Sequence, residues 1–323
     1  MKRILSSADW HVNLHKKKIP YDWQMKRYQS LFDKLHKLEQ TCDVHVIAGD
    51  LFDEVPRTDD TTLLLSYLNA VSIPTLVIPG NHEATRKGRS FWEHFQIRNA
   101  ISNPLVRIST INERIELGGL SFCTFPYGSV QTDNLPKWYE NDILVTHIRG
   151  EVPPHISEEY DFEKLRPWKL TLLGDLHFNH KYKDYNIYYP GSPVNTTFDR
   201  NDKHLYGVDI ITVDETDVSK HSVKFTPLQL PKLLRRTINV GEELVKHDVD
   251  HVVYEVTGSI DEIASVQKSE LLDKKMVVRE SSESTLDLKD KSIIQELELW
   301  LSHTGVKEPQ AILKCFNSLG VQE

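Results

Sequence analysis

The stretch Val44-His45-Val46-Ile47-Ala48-Gly49-Asp50-Leu51-Phe52-Asp53 carries the pattern on which the reading of the chain turns. Its first five residues, mostly apolar and β-branched, read as a short buried strand, and a glycine then turns the chain into a carboxylate. The same arrangement recurs on either side. Lys2–Ser7 runs into Asp9-Trp10-His11, Thr75–Ile78 into Gly80-Asn81-His82-Glu83, Asp142–Val145 into Thr146-His147, and Thr171–Leu173 into Gly174-Asp175-Leu176-His177. A lone histidine beside a strand is usually a structural residue satisfied by its neighbours. Five successive strands ending this way are hard to obtain by chance, and in open α/β sheets the carboxyl ends of strands line the functional crevice. Asp9, His11, Asp50, Asn81, His82, His147, Asp175 and His177 are therefore expected to project into one pocket.

Working outward, Ile187–Tyr189 and Val208–Val213 complete the strand candidates of the first 225 residues. Tyr28, Leu31, Phe32, Leu35 and Leu38 recur at helical spacing, and Thr62–Val71 and Phe91–Arg98 read as two further helices. Strands alternating with helices predict an α/β layered core. Around Pro227 and Pro231 the pattern changes. Leu234–Val240, His251–Val256 and Lys275–Arg279 read as strands, and Ser259–Ser269 as a helix capped by Ser259 with Glu262 three positions on. This second region, 228–284, is expected to form a small α+β domain. The remainder, 285–323, offers two amphipathic helices, Lys291–His303 and Pro309–Ser318, whose apolar residues need cover. The protein's own core is the ordinary cover, and a partner is the alternative.

The chain has 323 residues, 39% hydrophobic and 27% charged, a length that favours two domains over one. No apolar run approaches the roughly 18–20 residues of a membrane span. Asp9 and His11 come before any signal-peptide stretch could form, so a cytoplasmic protein is expected. Cys42, Cys123 and Cys315 stand far apart without a CxxC pattern, as reduced thiols do. Thirty-nine Lys+Arg against 47 Asp+Glu give a net charge of -8, which by itself argues against a polyanionic partner. The charge is unevenly spread, however. Residues 1–40 carry +5 and 84–107 carry +4, while 41–83 and 245–323 carry -6 each.

The expected pocket has a definite chemistry. A mixture of carboxylates, imidazoles and an amide oxygen suits divalent ions of intermediate hardness such as Mn²⁺ and Fe²⁺, whereas thiolate-rich sites favour zinc. Seven ligand candidates exceed what one ion needs, so two cations about 3.5–4 Å apart, bridged by a carboxylate, are the economical arrangement. Such a pair clamps a phosphate oxygen and activates a water, and a histidine outside the ligand set can protonate the leaving oxygen. Hydrolysis of a phosphoester follows from these groups; the substrate does not.

With D-x-H, G-D-x-x-D, G-N-H-[DE] and His blocks, and Gly174-Asp175-Leu176-His177 in place of the family's G-H-x-H, the chain resembles the calcineurin-type metallophosphoesterases. Within them it is most similar to the SbcD-type DNA repair nucleases of bacteria and bacteriophages. Gly49-Asp50-Leu51-Phe52-Asp53 lacks the D-R-G ending of the Ser/Thr phosphatases, and Tyr189-Pro190-Gly191-Ser192-Pro193 matches the Y-P-G-S turn of the nucleases. The resemblance implies a metallophosphoesterase β-sandwich flanked by helices over 1–227, followed by a smaller DNA-capping α+β domain. It implies one metal on Asp9, His11, Asp50 and His177, a second on Asp50, Asn81, His147 and Asp175, and His82 as the catalytic histidine. Mn²⁺ is the expected metal, with Mg²⁺ or Fe²⁺ as alternatives. Asp175 stands where the family usually has histidine, which should harden the second site, and His180 is a possible substitute there.

Lys16, Lys17 and Lys18 follow the first block, and Arg86, Lys87 and Arg89 the third, where they could hold DNA phosphates. The expected activity is 3′→5′ exonuclease and single-strand endonuclease action on DNA ends, in recombination, repair or replication. The expected partners are an SbcC-like coiled-coil ABC ATPase and a second copy of the chain, with no membrane. No G-x-x-x-x-G-K-[ST] motif occurs, so ATP dependence would come from the partner. The alternatives are a phosphoprotein or small-phosphodiester substrate, and a DNA-end scaffold with an impaired site.

Overall fold

In chain order the elements are β1 (Lys2–Ser7), α1 (Tyr21–Glu39), β2 (Val44–Ala48), α2 (Thr58–Ala70), β3 (Thr75–Ile78), the single turn α3 (Phe91–His94) and β4 (Val106–Ile108). They continue with β5 (Glu113–Leu117), β6 (Leu120–Phe125), β7 (Ile143–His147), β8 (Thr171–Gly174), β9 (His180–Tyr182), β10 (Ile187–Tyr189), β11 (Gly207–Val213) and β12 (His221–Pro227). Last come β13 (Leu233–Asn239), β14 (His251–Gly258), α4 (Ile260–Ser265), β15 (Leu272–Val277), α5 (Ile293–His303) and α6 (Pro309–Ser318). The computed structural model describes residues 1–14, 18–84, 90–94, 96–127, 129, 141–151, 157–277, 293–304, 306 and 309–318.

Two six-stranded sheets form the main body, ordered β12-β11-β1-β2-β3-β4 and β5-β6-β7-β8-β10-β9. In the first, β1 through β4 run parallel and β11 returns antiparallel to β1. In the second, β6, β7, β8 and β10 run parallel between antiparallel edges. Alternation along the strands explains how the sheets stack. Ile4, Val44, Val46 and Leu76 of the first sheet meet Phe122, Ile143, Val145 and Leu172 of the second in one buried cluster. The opposite faces carry Leu5, Ile47 and Val77 against Tyr28, Leu31 and Leu35 of α1 and Leu64 and Leu68 of α2. On the far side, Leu144, Leu173 and Ile187 pack on Phe162, Leu165 and Trp168. Each such side chain removed from water contributes about 1.5–3 kcal/mol, so the layered α/β sandwich is the form that covers strands apolar on both faces.

The chain divides into two compact units, one of residues 1–237, 243–255 and 268–274, the other of 238–242, 256–267 and 275–323. β13, β14 and β15 form a three-stranded sheet in which β14 is central. Ser259 caps α4, accepting from the Glu262 amide while Glu262 accepts from the Ser259 amide, as the spacing predicts, although the helix stops at Ser265 rather than Ser269. The expected helix over Phe91–Arg98 is instead α3 followed by a 3₁₀ turn over Ile97–Ala100. No helix among the described residues is long and apolar enough to cross a membrane.

Candidate metal centre

The parallel strands β1, β2, β3, β7 and β8 deliver their carboxyl ends to one place. Backbone bonds zip the first two loops together, Asp9 N to Gly49 O at 3.0 Å, His11 N to Asp50 O at 3.0 Å and Val12 N to Leu51 O at 2.7 Å. The Y-P-G-S turn reaches the same loop, where Ser192 Oγ donates to Asp9 O at 2.6 Å. Asp9, His11, Asp50 and Asp175 all lie in the left-handed region, at φ of 56°, 47°, 55° and 97°. Side chains avoid that region, and a cluster of such residues marks a place where the fold imposes a conformation for a purpose. Gly174 supplies room: a Cβ there would stand 2.0 Å from Ala48 O and 2.5 Å from His147 Nδ1.

Among the described residues, carboxylate and imidazole atoms converge within 4.8 Å of one another in three groups: Asp9, His11 and His177; Asp9, Asp50 and His147; and His11, Asp53 and His82. Asp50 stands between the first two. Its Oδ2 is 3.8 Å from His11 Nε2 and 3.5 Å from His147 Nε2. Asp175 Oδ1 lies 3.8 Å from His147 Nε2, whereas His180 lies in β9 with its ring against Phe178 and Tyr182. His147, expected just beyond its strand, is the last residue of β7.

Hydrogen-bonding and charged neighbours orient the imidazoles. His147 Nδ1 donates to Ala48 O at 2.7 Å, which turns Nε2 toward the cluster. Asn81 Oδ1 faces that Nε2 at 2.9 Å. Turned over, the amide would donate to His147 Nε2 at 2.9 Å and to Asp50 Oδ2 at 3.0 Å. His11 and His177 behave alike. His11 Nδ1 is 3.0 Å from Asp53 Oδ1, His177 Nδ1 is 2.8 Å from Thr196 Oγ1, and the two Nε2 atoms are 3.1 Å apart. The Nε2 atoms of His11, His147 and His177 are thereby directed into the pocket, where each can face a cation. This donor set, hard oxygens with neutral imidazoles, fits a pair of divalent ions of the Mn²⁺ class.

The electrostatics are those of a crowded acidic pocket. Burial, reinforced by the Asp50 charge, raises the Asp9 carboxyl well above its usual range, and burial raises Asp175 too. Burial and the nearby His11 push the His177 imidazole down to about 4. Burial alone would lower His147, but the adjoining Asp50 carboxylate holds it well above an ordinary histidine. Bound cations would supply the opposing charge that these carboxylates lack.

His82 is the most open of the set, with its side chain 37% exposed. Its ring packs edge-on against His11 at 4.7 Å, its Nδ1 donates to Asp53 O, and its amide donates to Asp50 Oδ1 at 2.9 Å. Nε2 is thereby left facing the cluster, 3.9 Å from Asp50 Oδ2.

Three supporting residues carry no role in the sequence reading. Buried Glu83 accepts from the amides of Gly80 at 2.7 Å, Phe52 at 2.8 Å and Asp50 at 3.0 Å, locking the second and third loops together. Burial and the Asp50 charge push its carboxyl up to about 7. Asp53 and Glu83 lie inside the quoted motifs, three residues after Asp50 and one after His82. Thr196 has no such signal. Of the expected DNA contacts, Lys16, Lys17, Arg86, Lys87 and Arg89 lie outside the described residues. Lys18 is turned to the protein itself, donating to Leu272 O and pairing with Asp273 Oδ1 at 3.6 Å.

Comparison with known proteins agrees with this geometry. The family model of calcineurin-like phosphoesterases matches residues 2–254. The chain belongs to the calcineurin-like phosphoesterase family. It is accordingly a metal-dependent phosphodiesterase, a hydrolase. The "Probable exonuclease subunit 1" of Escherichia phage T5 is 33% identical over 314 residues, spanning 92% of this chain and 91% of that protein. Among solved structures, TT1561 of Thermus thermophilus has 14% identity and a TM-score of 0.42, covering 71% of this chain and 99% of its own. A conserved Streptococcus pneumoniae TIGR4 protein described as a predicted phosphoesterase has 13% identity and a TM-score of 0.35, covering 72% and 92%.

Proposed function

We propose that this phosphoesterase is a Mn²⁺-dependent DNA nuclease subunit, a 3′→5′ exonuclease on duplex ends and an endonuclease on single strands. The observation that carries the reading is the convergence of Asp9, His11, Asp50, His147 and His177 beside an open histidine, in a chain similar end to end to a phage exonuclease subunit. One metal would be held by Asp9, His11, Asp50 and His177, the other by Asp50, Asn81, His147 and Asp175. Bound there, the two ions supply charge to a phosphodiester and lower the pKa of a water. His82 protonates the leaving 3′ oxygen through Nε2, with Nδ1–H fixed by the Asp53 carbonyl. Asp53, Thr196 and the Ala48 carbonyl hold the ligand imidazoles in the tautomers that leave Nε2 free, and Glu83 holds the loops in register.

The nuclease works within a complex containing an SbcC-like ATPase, docked through α5 and α6, on which Trp300 is 52% and Ile312 41% exposed. The region 228–284 caps the DNA, and Arg86, Lys87, Arg89, Lys16 and Lys17 contact phosphates, while Lys18 is engaged with Leu272 and Asp273. The task is recombination, repair or replication, and a second copy of the chain completes the assembly. End-labelled duplex DNA with Mn²⁺ or Mg²⁺ tests the activity. His82→Ala should lower cleavage about 10²–10⁴-fold while Mn²⁺ binding persists. Cleavage unaffected by that substitution would refute the assignment.

A further inference from the structure

A cavity of about 470 Å³ adjoins the metal centre on the side of His177. Its apolar wall is Phe178, Leu205, Tyr206 and Phe225, and Thr196 and Thr197 supply polar edges. Two of these side chains are out of character for a surface. Phe178, the residue directly after His177, is 48% exposed, and Leu205 is 62% exposed. Neither completes the core, whose clusters close without them. Exposed apolar groups gathered round a concave site, with a few polar groups at its edge, mark a ligand surface rather than a packing defect. The link to the chemistry is direct: Thr196 touches the cavity and also holds His177 Nδ1 at 2.8 Å. Whatever fills the cavity therefore sits next to an imidazole of the metal centre.

We infer that this cavity receives the nucleobase adjoining the scissile phosphate, unstacked from its neighbours and laid against Phe178. The inference rests on the nuclease reading above and sharpens it. The apolar wall has the character of a stacking platform that every base can use, which suits an enzyme without sequence preference. Asn179, next to Phe178, is tied by its side chain to Tyr189 O at 2.9 Å and to Asp209 Oδ1 at 3.1 Å. The platform is thus mounted on a fixed backbone. A pocket of this kind admits a base only out of the helical stack, so frayed and single-stranded ends are its substrates.

The test compares a phosphodiester that carries a base with one that does not. With Mn²⁺ and the full chain, kcat/KM is measured for thymidine 5′-(p-nitrophenyl phosphate) and for methyl p-nitrophenyl phosphate. Binding of thymidine 5′-monophosphate is measured against inorganic phosphate. Wild-type protein should favour the nucleoside member of each pair by about 5- to 150-fold, the range that stacking one base provides. Phe178→Ala should remove most of that preference in both assays, and Phe178→Trp should keep it. Because each preference is a ratio within one preparation, partial misfolding does not alter it. Equal handling of the two members by wild-type protein, or a ratio untouched by Phe178→Ala, overturns the base pocket and leaves the nuclease reading standing. Failure to cleave any phosphodiester would overturn the nuclease reading and the pocket with it.

Discussion

Asp209 offers a quantitative check on how this fold treats a buried charge. It lies in β11 opposite Ser6 of β1, fully buried. Its Oδ1 accepts from Asn179 at 3.1 Å, and its Oδ2 has no hydrogen-bond partner among the described residues. Burial pushes its carboxyl from the ordinary 3.8 up to about 6, against the opposing pull of Lys181 and the Asn179 hydrogen bond. The folded protein therefore holds this proton more tightly than the unfolded chain does. Below about pH 3 both states are protonated and no cost arises, whereas above about pH 6 the folded state bears the full cost of the charge. At about 1.4 kcal/mol per pH unit, the cost is about 3 kcal/mol. Asp209→Asn removes it. The new amide group adds a contribution that does not vary with pH and so cancels from the slope. The stability of the variant relative to wild type should rise by about 3 kcal/mol between pH 3 and pH 7, chiefly between 4 and 6. Urea unfolding at intervals of one pH unit, in chelator to set the metal centre aside, measures it. A difference flat to within about 0.5 kcal/mol, or one that falls with pH, would refute the argument.

Glu39 should show the opposite slope. Against the upward push of burial, the hydrogen bond and charge of His45, with Tyr67 and His36, draw its carboxyl down to about 2. The stability it contributes is present above about pH 4.5 and lost as pH falls toward 2, so the deficit of Glu39→Gln, at most about 3 kcal/mol, should close over that window in urea unfolding. A deficit constant with pH would remove the His45–Glu39 interaction as its source. At the metal centre, Thr196→Val should weaken Mn²⁺ binding about 10- to 100-fold by freeing His177 Nδ1. Calorimetric titration giving wild-type affinity would show that Thr196 does not orient the ligand.

The strands that carry the cluster were legible because each is a buried run followed by a polar turn. β2, β3 and β10 have the boundaries their patterns predict. Four of the strands without a sequence signal, β4, β5, β9 and β12, are the edges of the two six-stranded sheets. Edge strands keep one face wet: β12 alternates half-buried with exposed residues, and β9 is only three residues long. The fifth, β6, is interior, but its Leu-Ser-Phe-Cys-Thr-Phe sequence interrupts the apolar run with small polar residues. One of them, Thr124, bonds to Ser109 at 2.7 Å in the buried interior. Their absence from the sequence reading left the second sheet incomplete. The cluster itself was legible as a set of strand ends, yet the hydrogen-bond partners that orient it were not. The Ala48 carbonyl beside His147 is 99 residues away along the chain, and that pairing exists only once the two sheets are stacked.

The same stacking explains why an acidic chain can serve a phosphodiester. Asp9, Asp50 and Asp175 are forced together, and all three share with His11 a backbone conformation costing about 1–3 kcal/mol per residue. Such an arrangement persists only because surrounding bonds over-determine it: the loop-to-loop amides of Asp9 and His11, the Ser192 hydroxyl on Asp9 O, and the three amides gathered by Glu83. The net charge of -8 counts these carboxylates as though they faced solvent. They face one another, and two divalent cations would reverse the sign of the pocket without altering the rest of the surface. A phosphate would then approach a site that is locally positive in a protein that is globally acidic. At this pocket, then, the attraction for a phosphate resides in the bound cations and acts against the negative charge of the chain as a whole.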